Sequence, residues 1–66
     1  MLEKLEVDAS RLERRILITL GKTADNKLDA GRTYWLGFVE ALGWAAYITQ
    51  AQKNYLQAMI KEFERE

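Results

Sequence analysis

The chain has 66 residues, of which ten are Lys or Arg and ten are Asp or Glu, so its formal net charge is zero. It contains no Cys, His or Pro. Disulfides and the commonest metal ligands are therefore excluded. The length predicts one domain, residues 1–66, and a domain of this size buries only about 60% of the surface that its unfolded chain exposes. We therefore expect regular helix packing or oligomerisation to supply its stability.

The residue types needed for catalysis are scarce. Ser10 is the only serine, and the chain has no His to activate it. The carboxylates of Asp25, Asp29 and Glu40 are dispersed along the sequence. We predict no enzymatic activity, no metal and no cofactor. The first residues lack the apolar run of a signal peptide, and together with the absence of Cys this leads us to expect a cytoplasmic protein.

Apolar or small residues recur at spacings of three and four near the N-terminus, which predicts a first helix over about 2–20. They are Leu2, Leu5, Ala9, Leu12, Ile16 and Thr19, with Leu17 and Leu20 beside them. Gly21 follows directly, and we expect it to end the helix as a left-handed cap. Ser10 and Glu13 have the spacing of a capping box, which would start the helix at Arg11. The apolar seam favours the earlier start.

The segment from Tyr34 to Ile48 is apolar on almost every side and carries both tryptophans. It forms the centre of a second helix, predicted over about 26–47. Asp25 is expected to cap its start, with Asp29 as the alternative. A middle helix contacts partners on more than one side, which accounts for much of this apolar content. The predicted core comprises Leu12, Ile16, Trp35, Phe38, Leu42, Leu56, Met59 and Phe63.

A second capping box lies at Thr49 and Gln52, and it predicts a third helix over about 50–65. The connection before it is short, so helices 2 and 3 are expected to form an antiparallel hairpin. The sequence therefore predicts an all-α fold, a small three-helix bundle that dimerises.

One side of the second helix is aromatic and small, where a side that only faces solvent would be charged. At about 100° per residue this side holds Thr33, Leu36, Gly37, Glu40, Trp44, Tyr47 and Ile48. The predicted interface residues among them are Thr33, Leu36, Gly37, Trp44 and Tyr47. Either helix 1 crosses this side, or a second chain binds it around Trp44, since Trp and Tyr are enriched at interface hot spots. We predict a small non-enzymatic protein–protein interaction module, a regulator, adaptor or inhibitor. Its partner is expected to be another copy of itself, as a homodimer, or a foreign protein.

The alternative prediction is a nucleic-acid-binding regulator. The densest basic cluster lies on helix 1 and comprises Lys4, Arg11, Arg14 and Arg15. It could contact phosphate or an acidic partner, although interleaved acids favour a solvated face. The amides that open helix 3 could read base edges, and these are Gln50, Gln52, Asn54 and Gln57. The neutral charge balance argues against this alternative, because nucleic-acid binders normally carry a basic excess.

A membrane span is the minor alternative. It would run from Thr33 to Ala51, nineteen residues flanked by Arg32 and Lys53. That is close to the roughly 20 residues that a helix needs to cross a bilayer. Glu40 near its centre argues against this interpretation.

Overall fold

A computed structural model describes residues 8–64 of the chain, which form three α-helices joined by short connections. Helix α1 spans Ala9–Lys22, α2 spans Leu28–Trp44 and α3 spans Gln50–Glu62, and a 3₁₀ turn at Asp25–Lys27 precedes α2. Helices α2 and α3 pack closely as an antiparallel hairpin, with the start of α2 beside the end of α3. The predicted all-α fold with three helices is confirmed.

The core draws side chains from all three helices and from the connection between α2 and α3. In the described part of the chain, the buried apolar residues are Leu12, Ile16, Leu20, Trp35, Val39, Ile48, Leu56 and Ile60. The predicted core residues Leu42, Met59 and Phe63 are half-buried and pack against this cluster. Phe38 is 40% exposed, so its prediction as a core residue is wrong. It lies at the edge of the side of α2 that packs inward.

Asp8 is the N-cap of α1. Its Oδ1 accepts hydrogen bonds from the backbone N–H groups of Ser10, at 3.0 Å, and Arg11, at 3.3 Å. The predicted capping box at Ser10 is therefore wrong, because Ser10 lies inside the first turn. Within the described residues the helix begins at Ala9, and the predicted start at Leu2 lies outside them.

The C-terminal end of α1 needs no left-handed residue. Gly21 is helical and the helix continues to Lys22, so the predicted glycine cap is wrong. Thr23 takes over the capping role, since its N–H donates to the carbonyl of Leu20 at 3.2 Å. Its hydroxyl donates to the carbonyl of Thr19 at 2.7 Å. Two of the last carbonyls, which lack intrahelical partners, are thereby satisfied.

Neither acid that was expected to cap α2 does so. The N-cap is Lys27, whose side chain makes no capping hydrogen bond, and Asp25 instead begins the 3₁₀ turn. Asp29 lies in the first turn of α2, with its Oδ1 4.0 Å from Nε of Arg32. A carboxylate there interacts favourably with the helix dipole.

Helix α2 ends at Trp44, three residues before the predicted end. The N–H of Tyr47 donates to the carbonyl of Leu42 at 2.9 Å, and the N–H of Ala46 donates to the carbonyl of Gly43 at 3.0 Å. This pair of bonds is a Schellman motif, with Ala46 at φ 60° where glycine is usual. The boundary was mispredicted because alanine gives no signal for a left-handed residue.

The same chain reversal divides the segment that was considered as a membrane span. Residues 33–51 belong to two helices and the connection between them, so they are not one continuous helix. Across residues 8–64, the length and apolar content of every helix fall short of what crossing a bilayer requires.

Helix α3 begins with the predicted capping box, which is confirmed. Oγ1 of Thr49 accepts from the N–H of Gln52 at 3.0 Å, and Oε1 of Gln52 accepts from the N–H of Thr49 at 2.9 Å. The helix ends at Glu62 rather than at the predicted residue 65.

Arg32 joins the start of α2 to the end of α3. Its Nη1 donates to the carbonyls of Ile60, at 2.8 Å, and Lys61, at 3.1 Å. These carbonyls belong to the last turn of α3, where intrahelical partners run out and a positive charge is favourable. The guanidinium also lies 5.9 Å from the ring centroid of Phe63. The hairpin is thus fixed at this end by a partly buried polar contact as well as by apolar packing.

We expect Ala46→Gly to raise the free energy of unfolding by about 1 kcal/mol, because glycine adopts the left-handed conformation without the steric cost that alanine bears. Urea denaturation followed by circular dichroism measures the change. Ala45→Gly is the matched control, since Ala45 has φ −78° and gains no such relief. Equal effects of the two substitutions would contradict this account.

Candidate interaction surface on the second helix

Helices α1 and α3 both pack against one half of α2. Near the start of α2, a Cβ added at Gly31 would lie 3.4 Å from Cδ2 of Leu20 in α1. Near its end, a Cβ at Gly43 would lie 2.7 Å from Cδ of Lys53 in α3. The two glycines therefore allow close approach of the two neighbouring helices. The half of α2 turned away from them has no covering helix in the described part of the chain.

Apart from Asp29 in the first turn, the exposed positions of α2 carry no charge. We call them the outer face of α2, and they comprise Ala30, Thr33, Tyr34, Gly37, Phe38, Ala41 and Trp44. The exposed side of α1, by contrast, includes Arg11, Arg14 and Arg15. An amphipathic helix normally presents charged side chains to water. The outer face is therefore the part of the described surface least suited to contact with water alone.

Aromatic rings dominate the outer face. Trp44 is 84% exposed and Tyr34 is 62% exposed. Tyr34 stacks on Phe38 with centroids 6.2 Å apart, and both rings meet the buried Trp35 edge to face, at 5.2 and 5.4 Å. The buried indole thus supports two exposed rings, which limits their freedom to move. Contact area that is already ordered costs less entropy on binding.

Three of the five predicted interface residues, Thr33, Gly37 and Trp44, lie on the outer face. Tyr47 is 39% exposed and lies in the connection after α2. Leu36 is half-buried on the side of α3, where its carbonyl accepts a 3.5 Å hydrogen bond from Gln57. Helix α1 does not cover this surface: within the described chain, no atom beyond the local helix lies within 4 Å of a Cβ built at Gly37.

Glu40 borders the outer face on the side of α3, and its charge is compensated within the chain. Its Oε2 accepts a 2.8 Å hydrogen bond from Nε2 of Gln57 and lies 3.1 Å from Nζ of Lys53. The hydrogen bond from Gln57, followed by that from Lys53, lowers the pKa of Glu40 below its ordinary value of 4.5. The edge of the surface therefore presents a neutralised ion pair rather than a bare carboxylate.

The described residues of the nucleic-acid alternative lie on α1 and α3. Arg11, Arg14 and Arg15 are exposed on α1, while Lys4 lies outside the described residues.

The amides of α3 are engaged within the chain. Nε2 of Gln50 donates to Oδ1 of Asn54 at 3.0 Å, Gln52 closes the capping box, and Gln57 binds Glu40. An amide that reads a base edge would have to leave these partners.

A shallow groove runs between α1 and α3, and Tyr55 divides it. The Tyr55 hydroxyl donates to a carboxylate oxygen of Glu13, and this hydrogen bond raises the pKa of Tyr55. The two depressions beside the ring have volumes of about 260 and 390 Å³ and are open to solvent. Residues 8–64 contain no group of three His, Cys, Asp or Glu side chains that could hold a metal ion.

Comparison of the chain with protein-family models, with curated proteins and with solved structures gives no match in any of the three. Only the residues of the chain and their geometry therefore bear on its function.

The lowered pKa of Glu40 predicts a pH dependence of stability. The ionised carboxylate stabilises the fold above pH 4.5, and this contribution is lost as the pH falls through the lower pKa of the folded state. We expect the difference in unfolding free energy between wild type and Glu40→Gln to shrink over that range. Urea denaturation at several pH values measures it. Gln57→Ala should weaken the dependence, and a difference that grows on acidification would contradict the assignment.

The glycines of α2 should respond differently to alanine. Gly37→Ala should raise the unfolding free energy of the monomer by up to about 1 kcal/mol, because its Cβ position is open and alanine favours the helix. Gly43→Ala should give a smaller gain or a loss, since the new methyl displaces the Lys53 side chain that contacts Glu40. Urea denaturation at low micromolar protein tests both, and equal gains would refute the close contact at Gly43.

Proposed function

We propose that this protein is a non-enzymatic protein–protein interaction module that binds another chain through the outer face of α2. The observation that carries the proposal is Trp44, 84% exposed on a helical surface that holds no charged residue beyond the first turn. Contiguous exposed apolar surface marks interaction sites in soluble proteins. Trp and Tyr, both present here, are the residues that contribute most at the centres of interfaces.

The favoured occupant is a second copy of the chain. The described core contains only eight buried side chains, and a domain this small gains stability when association removes further apolar surface from water. An uncharged face also meets its own copy without like-charge repulsion. A foreign protein with an apolar helix is the second possible partner. Such a module acts as a regulator, adaptor or inhibitor, and its cytoplasmic location is part of the proposal.

Sedimentation equilibrium at tens of micromolar protein tests this proposal. We expect the wild type to dimerise and Trp44→Ala to raise the dissociation constant about 30-fold for each of the two Trp44 side chains that the dimer loses, at about 2 kcal/mol per hot-spot side chain. Because Trp44 contributes little to the monomer core, the circular dichroism spectrum of the Trp44→Ala variant should match that of the wild type. Ile18→Ala is the matched control, since Ile18 is 48% exposed on α1 and lies off the outer face.

A wild-type monomer at that concentration would refute the homodimer. Recovery of the same foreign partners by wild type and Trp44→Ala would refute the outer face as a binding site. The salt dependence of the binding affinity distinguishes the proposed apolar association from nucleic-acid binding through Arg11, Arg14 and Arg15. Affinity that depends on phosphate contacts falls steeply as salt rises, whereas apolar association does not.

A further inference from the structure

We infer that the outer faces of two copies pack as an antiparallel helix pair, in which Trp44 of each chain lies on Gly37 of the other. The inference rests on the proposed function and specifies the partner and the register at the same site. It starts from the spacing of the two residues. Gly37 and Trp44 are seven positions apart, about 10.5 Å along the same side of α2.

The outer face carries one large projecting side chain, at Trp44, and one flat area, at Gly37. Trp44 projects a whole indole into solvent from the last turn of α2. At Gly37 the backbone is bare, and nothing described fills the space of its missing side chain. Ala30 and Ala41 continue the small surface on either side along the helix. Small residues let a second helix approach closely, and large rings seat against them.

Antiparallel pairing places one Trp44 and one Gly37 at each end of the contact. When the two-fold axis passes between residues 40 and 41, each Trp44 meets a Gly37, once at each end of the contact. In a parallel pair Trp44 would meet Trp44 and Gly37 would meet Gly37. That arrangement crowds one end and leaves a gap at the other, and both defects reduce packing energy. Antiparallel helix dipoles also attract each other.

The edges of the outer face favour the same orientation. Tyr34 and Phe38 form one edge, and Glu40 with Lys53 of α3 borders the other. In an antiparallel pair about a perpendicular two-fold axis, equal edges lie on the same side. The two Phe38 side chains then lie on the same side of the pair, about 7.5 Å apart along the helix, and each Glu40 retains its compensating Lys53. Parallel pairing would set the aromatic edge of one copy against the charged edge of the other.

Single cysteines in this cysteine-free chain test the register. With the axis between residues 40 and 41, the two copies of residue 41 are offset by only about 1.5 Å along the helix. The two copies of residue 30 are about 32 Å apart. Oxidised glutathione should therefore convert Ala41→Cys, but not Ala30→Cys, to a disulfide-linked dimer. Both positions are exposed alanines, so the variants are matched.

Each outcome decides the inference. Cross-linking of Ala41→Cys alone supports it. Cross-linking of both variants overturns it in favour of parallel pairing. If neither cross-links while sedimentation shows a dimer, the inferred register is wrong, although self-association within the proposed function survives. A wild-type monomer overturns the inference and the homodimer together, and leaves only a foreign partner for the outer face.

Gly37→Ala tests the inference in a second way, because its expected effect on dimerisation is opposite to its expected effect on the stability of the monomer. The added methyl occupies the area where Trp44 of the second copy is seated, so the dissociation constant should rise at least about tenfold even though the monomer becomes more stable. Gly21→Ala is the matched control, because Gly21 is also helical with an open Cβ position, but on α1. Unchanged dimerisation of Gly37→Ala would overturn the contact between Trp44 and Gly37.

Discussion

The packing of α1 and α3 against the same half of α2 is the constraint on which the rest of the structure depends. Gly31 brings α2 close to α1, Gly43 brings it close to α3, and Arg32 fastens its first turns to the last carbonyls of α3. These contacts leave the opposite half of the helix without a partner in the described chain. Two neighbouring helices with a few buried side chains each cannot surround a central helix that is apolar on nearly all sides.

The three glycines of α2 lie in different surroundings and have different structural roles. By helix propensity alone, Gly31, Gly37 and Gly43 carry the same cost of roughly 1 kcal/mol each relative to alanine. Contacts with Leu20 and Lys53 explain the first and the last. No contact within residues 8–64 explains Gly37, whose Cβ position is open. Gly37 differs from Gly21, the other helical glycine with an open Cβ position, because it lies beside an exposed tryptophan.

Sequence reasoning succeeded where a signal is local and chemically specific. The capping box of Thr49 and Gln52 located the start of α3, and the spacing of Leu12 and Ile16 located the buried stripe of α1. It failed at the end of α2, because Ala46 adopts a left-handed conformation that alanine rarely has. The capping box suggested at Ser10 does not form, since Asp8 caps the helix two residues earlier by accepting from the N–H groups of Ser10 and Arg11.

The candidate surface was only partly predictable for a geometric reason. Periodicity identifies which residues share a side of a helix, and it correctly grouped Thr33, Gly37 and Trp44. It does not reveal how far the neighbouring helices extend around the circumference. Phe38 was assigned to the core because it is apolar and adjacent to Trp35, yet α1 and α3 leave it at the margin. The exposure of Tyr34 and Phe38 could therefore be recognised only from the positions of α1 and α3 in the structure.

The dimensions of α2 limit how strong the proposed association can be. Helix α2 ends at Trp44, so with the two-fold axis between residues 40 and 41 the two helices overlap only over residues 37–44, about 12 Å. A helix pair of that length buries much less than the roughly 800 Å² per partner typical of stable complexes. A dimer formed by this surface alone therefore belongs to the weak, concentration-dependent class. The same outer face would then be available to a foreign apolar helix that contributes more area. Under this proposal, self-association and capture of such a helix would compete for one surface, and that competition would make binding depend on protein concentration.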